Sequence, residues 1–241
     1  MQAELSSRDE ILRRVQRATG GASTAEAARA GWSAVARRYK RTGVLERELV
    51  LKLLEDRLRD YDATVVRVCR EDVAWSVGKR LAERGRRRIV VPAGFPAEWL
   101  PSGFEWAIDT GFRATELDGF EGVVTSSTVA IADTGTVVLQ HVAGQGRRAI
   151  TLVPDYHLCL VREEDVIETV PEAMHRLRAT AELATTFISG PSATADIEMT
   201  RIKGVHGSRN LDVMLIVQSA LTSNKQMVQP ARNFNREQIS F

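Results

Sequence analysis

Residues 64–91 limit the folds open to this chain more than any other stretch. A β-branched run over 64–69 is followed by a helical stretch over 72–84, then by a second strand over 88–91 that ends at Pro92. Strand, helix and strand in that order predict a parallel pair joined by a crossover helix, and therefore an α/β fold. The alternation continues. Residues 128–132 and 136–140 read as strands joined across Asp133-Thr134-Gly135, where Asp and Gly suit a tight turn. Residues 150–154 and 157–161 read as strands, 166–184 as helix, 185–189 as strand and 211–217 as the last strand. Residues 92–103, with Phe95, Trp99 and Pro101, form an irregular connection, and 144–148 a basic loop.

Helices precede this pattern. Ser7-Arg8-Asp9-Glu10 reads as a capping box, with Ile11, Leu12 and Val15 on one face behind it. Residues 24–39 are rich in Ala and Arg, with Trp32 and Val35 as apolar marks. Leu45, Leu49, Leu53, Leu54 and Leu58 recur at helical spacing and predict an amphipathic helix over 46–60. The expected organisation is a helical segment over 1–60, an α/β domain over 61–217 and a polar tail over 218–241, disordered or docked on a partner.

Composition narrows the function classes. A chain of 241 residues that is 44% hydrophobic and 27% charged can build a full core. A net charge of +2 gives no electrostatic case for nucleic acid, and the arginines of 84–88 fit a solvated turn between helix and strand. Its 2 cysteines, Cys69 and Cys159, lie in apolar runs without Cys-x-x-Cys spacing, so the chain alone offers no four-thiolate metal or cluster site. Buried, unpaired thiols fit a reducing compartment. Met1-Gln2-Ala3-Glu4-Leu5 lacks the apolar core of a signal peptide, and no run approaches the roughly twenty apolar residues of a membrane span. A cytoplasmic protein without metal, nucleic-acid partner or membrane span is expected.

The densest chemistry is Gly190-Pro191-Ser192-Ala193-Thr194-Ala195-Asp196-Ile197-Glu198, followed by Gly204-Val205-His206-Gly207. Glycines permit positive φ or close approach, and the Ser192 and Thr194 hydroxyls can cap a helix or hold a ligand. A helix beginning near Ser192 would aim unpaired N–H groups at a carboxylate or phosphate. The plainer reading stays open beside it: a helix start whose dipole Asp196 and Glu198 complement, with His206 bracing a loop.

Ala132-Asp133-Thr134-Gly135-Thr136-Val137-Val138-Leu139, Leu152-Val153-Pro154-Asp155-Tyr156-His157 and the Gly190 and Gly204 strings resemble successive motifs of the LUD domain family. The likeness is to its short, single-domain branch, lactate utilization protein C, and runs from about Leu49 to Val217. It implies a mixed, largely parallel sheet flanked by helices, similar to the NagB/RpiA/CoA-transferase group, behind an N-terminal helical segment. It also implies two partner proteins with which L-lactate is oxidised to pyruvate, one rich in cysteine motifs and one joining a LUD domain to iron–sulfur segments. Iron–sulfur clusters are then expected in the partners and no cofactor in this chain. Ser208 stands where the family commonly has Pro, which predicts a looser turn, and the extension from Gln218 is unlike the family.

On this reading Thr134, Gly135, Thr136, Gly190, Ser192, Thr194, Asp196 and Arg209 line an anion site beyond the carboxyl ends of the strands. Arg209 would grip a carboxylate and His206 take the hydroxyl proton of a 2-hydroxy acid, such as lactate. The chain is then a component of an L-lactate-oxidising complex rather than an enzyme active alone. Two other classes remain: a stand-alone acyl/CoA transferase or sugar-phosphate isomerase, the former with Asp133 as nucleophile by fold analogy, and a non-catalytic assembly protein that binds an organic acid.

Overall fold

Strands that are apolar on both faces must lie in a sheet covered on both sides, and this chain has several of them. The computed structural model describes residues 6–20, 24–194, 202–204 and 207–218. The chain divides into two compact units, Met1–Lys40 and Arg41–Phe241. The first holds α1 (Ser7–Ala18), whose N-cap Ser6 accepts from the Asp9 amide, and α2 (Ala25–Ala34), capped in the same way by Thr24.

The second unit runs through α3 (Arg47–Asp60), β1 (Thr64–Cys69), α4 (Val73–Glu83), β2 (Arg88–Pro92), β3 (Glu105–Asp109), α5 (Ala114–Leu117) and β4 (Gly122–Ser126). It continues with β5 (Val129–Ile131), β6 (Thr136–Gln140), α6 (Ala149–Leu152), β7 (Tyr156–Arg162), β8 (Val166–Ile167) and α7 (Val170–Arg176). Last come β9 (Thr185–Ile188), β10 (Ala193–Thr194), β11 (Ile202–Lys203) and β12 (Asn210–Val217). Six strands form one parallel sheet in the order β1-β12-β7-β4-β2-β3, so the α/β class read from the alternation is the one observed. A second, four-stranded sheet has the order β8-β5-β6-β9 and is built on the β5–β6 hairpin.

Side chains alternate across a strand, so each central strand feeds two cores. From β7, Tyr156, Leu158 and Leu160 join Val73, Val77 and Leu81 of α4 on one face. Cys159 and Val161 join the other face, with Leu51, Leu54 and Leu58 of α3 and Val137 and Leu139 of β6. The helix α3, grouped by sequence with the N-terminal segment, therefore packs into the core of the 41–241 unit. The outer face of the second sheet packs Val129, Ile131 and Val138 against Ala173 of α7.

Four local expectations are corrected. First, β1 and β2 share a sheet but are not neighbours, because β12, β7 and β4 lie between them. A crossover sets the hand and direction of a connection, not adjacency, and the extensively buried β7 and β12 take interior positions between them. Second, residues 149–152 form one helical turn instead of a strand; Ile150 packs with Leu117, Phe120 and Val123, and so short an apolar run carries no decisive period. Third, 166–184 is a short strand, a helix over Val170–Arg176 and a 3-10 turn over Leu177–Thr180. Thr169 and Glu172 form a capping box and Pro171 sits in the first turn, so the helix cannot begin earlier. Fourth, β3, β4 and α5, missed in the sequence, fall in 104–126, where turn residues interrupt the apolar pattern. The tail from Ser219 onward lies outside the described residues.

Candidate functional site

Two glycine bends bring the sequence motifs close to one another. In the β5–β6 turn Gly135 has φ +57°, and a Cβ there would come within 2.8 Å of Arg57 backbone and side-chain carbons. After β9, Gly190 has φ +87°, and its Cβ would come within 2.5 Å of Tyr61 Cβ. Both positions need glycine for its conformation and for its lack of bulk. Both bends thus press on the C-terminal end of α3. Beside them Thr136 Oγ1 lies 2.7 Å from Thr134 Oγ1 and 2.7 Å from Ser189 Oγ. These hydroxyls satisfy one another. Thr134, Gly135 and Thr136 therefore brace the junction between the bends, and they are not among the residues lining the cavity described next.

That cavity, about 350 Å³, is walled by Phe187, Ile188 and Ser189 from the end of β9, by Gly190, Pro191 and Ser192, and by Thr151 and Leu152 of α6. Its remaining walls are Arg148, His157, Gly207, Ser208 and Leu211. No helix starts at Ser192. Residues 193–194 are strand and pair antiparallel with Ile202–Lys203, while the Ser192 amide donates to the Ser208 carbonyl at 2.9 Å. An anion held by a helix N-terminus is therefore ruled out at this position. The cavity also lies at the amino ends of β7 and β12, because His157 and Leu211 are the second residues of those strands. The expected carboxyl-end location does not hold for it: the Gly190 segment leaves the second sheet after β9, and Ser192 hydrogen-bonds to Ser208 just before β12.

His157 is the chemical centre of the cavity. Its side chain is inward on β7 and the residue is 2% exposed. Nε2 lies 2.8 Å from Thr125 Oγ1 of β4, and Thr125 Oγ1 lies 3.7 Å from Cys159 Sγ. Nδ1 has no hydrogen-bond partner among the described residues. Burial pushes the imidazole down to about 4 and the Cys159 thiol up to about 12, so both stay neutral near pH 7. Arg148, on the cavity wall, is exposed and its guanidinium has no hydrogen bond or ion pair among the described residues. A neutral imidazole and a guanidinium without a partner among the described residues thus share a partly apolar hollow. That combination suits a small carboxylate carrying one further polar group.

Other sequence candidates are placed differently. Arg209 Nε lies 3.2 Å from Asp155 Oδ1, and Arg209 lies over Gly204 in an adjoining cleft that shares Arg148, Leu152 and Gly207 with the cavity. Its charge is already countered. Thr194 is in β10, whereas Asp196 and His206 lie outside the described residues. Ser208 does not loosen its turn. It is buried, and its hydroxyl donates to the Pro154 carbonyl at 2.8 Å, fixing the entry to β12. In sequence Arg148 passes for part of a basic loop and His157 for a strand residue. A histidine opening an apolar run was the available signal, since a buried polar ring needs partners. Asp133, the transferase nucleophile by analogy, sits on the hairpin turn and is not among the cavity-lining residues.

A second cleft, about 580 Å³, opens at the carboxyl ends of β2 and β3 between Pro92, Gly94, Asp109, His141 and Arg147. It is larger but its charges are spent. Arg147 donates to both Asp109 oxygens, at 2.7 and 3.0 Å, and the Gly111 and Phe112 amides donate to Asp109 Oδ1. Arg147 and these amides hold the Asp109 carboxyl below the usual carboxylate range, against its burial. No group of three or more metal-ligating side chains occurs among the described residues, nor any helix long and apolar enough to cross a membrane.

Residues 60–216 match the LUD domain. Lactate utilization protein C of Deinococcus radiodurans is 41% identical over 175 residues, covering 71% of this chain and 82% of that protein. Lactate utilization protein C of Bacillus pumilus is 26% identical over 241 residues, covering 90% of this chain and 99% of its own length. The crystal structure of a DUF162 family protein from Deinococcus radiodurans superposes with a TM-score of 0.63 at 36% identity, over 72% of this chain and 99% of that one.

Proposed function

The chain belongs to the LUD domain family, and from that premise we propose that it serves lactate utilization by binding a small organic acid in the cavity beside His157. The observation that carries this reading is a buried, neutral histidine on the wall of a cavity that also holds Arg148, whose guanidinium has no hydrogen bond or ion pair among the described residues. The relatives' name supports lactate as the acid.

Oxidising lactate to pyruvate releases two electrons and two protons, and the electrons need an acceptor. Two cysteines cannot ligate a four-thiolate cluster. In this proposal the chain works in the cytosol as the acid-binding component, and iron–sulfur partner proteins take the electrons. His157 is buried and neutral, so it orients the acid and does not act as a base that must become charged.

Calorimetric titration of the full chain with L-lactate tests the site. Saturable one-to-one binding is expected, weakened about tenfold or more in Arg148→Ala, because a charged hydrogen bond contributes about 1.5–3 kcal/mol. The Asp109→Asn variant in the other cleft should bind as the parent does. No binding, or equal affinity for the parent and Arg148→Ala, refutes the assignment.

A further inference from the structure

Three contacts behind His157 bear on which ring nitrogen carries the proton. Cys159 Sγ approaches the Ser126 carbonyl at 3.9 Å, and Thr125 Oγ1 approaches Cys159 Sγ at 3.7 Å. A thiol has one hydrogen and a hydroxyl has one. The thiol stays protonated, so it can donate to the Ser126 carbonyl, and the Thr125 hydroxyl then donates to the Cys159 sulfur. With the Thr125 hydrogen on the sulfur, the contact from Thr125 Oγ1 to His157 Nε2 at 2.8 Å takes Nε2–H as its donor, the arrangement in which all three contacts are hydrogen bonds. The reverse direction uses the Thr125 hydrogen on the ring and leaves the sulfur without its donor. With Nε2 protonated, Nδ1 presents a lone pair.

We infer that this cavity distinguishes the two oxidation states of its acid: His157 Nδ1 accepts the hydroxyl hydrogen of a 2-hydroxy acid and disfavours the 2-oxo acid. The inference rests on the carboxylate-binding role proposed above. A 2-hydroxy acid brings a donor to the lone pair. A 2-oxo acid brings a carbonyl oxygen, also an acceptor, and leaves two lone pairs facing each other in a confined space. Such a site would hold the reduced acid and release the oxidised one, which suits a component upstream of electron transfer.

The test combines affinity with direct observation of the ring. In calorimetry with the full chain, L-lactate should bind at least about tenfold more tightly than pyruvate, and His157→Phe should abolish the preference. In the parent protein, nitrogen-15 spectra of the histidine rings should show His157 protonated on Nε2 and bare on Nδ1, a readout that needs no variant to fold. Equal affinity for the two acids, or a proton on Nδ1, overturns the inference while leaving the acid-binding role intact. Failure of both acids to bind overturns the inference and that role together.

Discussion

Replacing Asp212 with alanine is expected to destabilise the protein by about 3 kcal/mol or more, with no direct contact to the proposed ligand. Asp212 lies in the second-from-edge strand β12 and is 1% exposed. Its carboxylate accepts two hydrogen bonds from Arg84, at 3.0 and 2.5 Å, and one from the Tyr156 hydroxyl at 2.9 Å, while Arg80 stands 3.6 Å away. Arg84 also reaches Thr64 of β1. The network therefore ties α4 to three neighbouring strands at one end of the sheet. Removing the carboxylate leaves the Tyr156 hydroxyl buried without its acceptor and the guanidinium without its countercharge. Losing one member of a buried pair is far more damaging than never having had the pair. Urea denaturation at neutral pH reads the effect as a lower midpoint at unchanged slope. A loss below about 1 kcal/mol would show that the network is solvated and of little consequence.

His157 should also give the protein an acid sensitivity that its substitution removes. Burial holds the folded imidazole at about 4, against 6.5 in an exposed chain. Above that ordinary value neither state is protonated, and this residue adds no pH dependence. Between the two values the unfolded chain takes up a proton that the folded one refuses, so stability falls as pH falls. At 1.36 kcal/mol per unit, the full loss by about pH 4 is about 3 kcal/mol, and about 2 kcal/mol of it arrives by about pH 5. Asp109 and Glu172, whose carboxyls are held below their ordinary range, lose their contributions only at lower pH. Asp165, raised by burial, acts in the opposite sense and equally in parent and variant, so the difference between parent and variant from about pH 7 to about pH 5 isolates the histidine. Urea midpoints across that interval should fall for the parent and stay nearly level for His157→Gln. Parallel slopes would mean that the ring is hydrated in the folded state.

Much of the fold was legible because parallel sheets have a plain signature. Strands such as β7 and β12, buried on both faces, are apolar almost throughout, and the Asp133–Gly135 turn marks the hairpin by its residue types. What failed was order and length. Nothing local in 64–91 encodes that three strands intervene between β1 and β2, since that depends on how β7 and β12 pack at long range. Four-residue apolar runs such as 149–152 fit a turn of helix as well as a strand. For the site, the Gly190–Ser192 bend was legible through its glycine and hydroxyls. Thr134 and Thr136 drew notice for the same residue types, yet their hydroxyls spend their hydrogen bonds on each other and on Ser189. Arg148 and His157 were not legible as a pair, because only the tertiary fold sets a loop arginine and a strand histidine around one hollow.

The most direct measurement is a crystal structure of the full chain grown with L-lactate. The account predicts the acid in the hollow at the amino ends of β7 and β12, its carboxylate toward Arg148 and its hydroxyl on His157 Nδ1. Lactate seated instead between Pro92 and Arg147 at the opposite end of the sheet, or no lactate at His157 at a concentration that saturates the protein in solution, would contradict it.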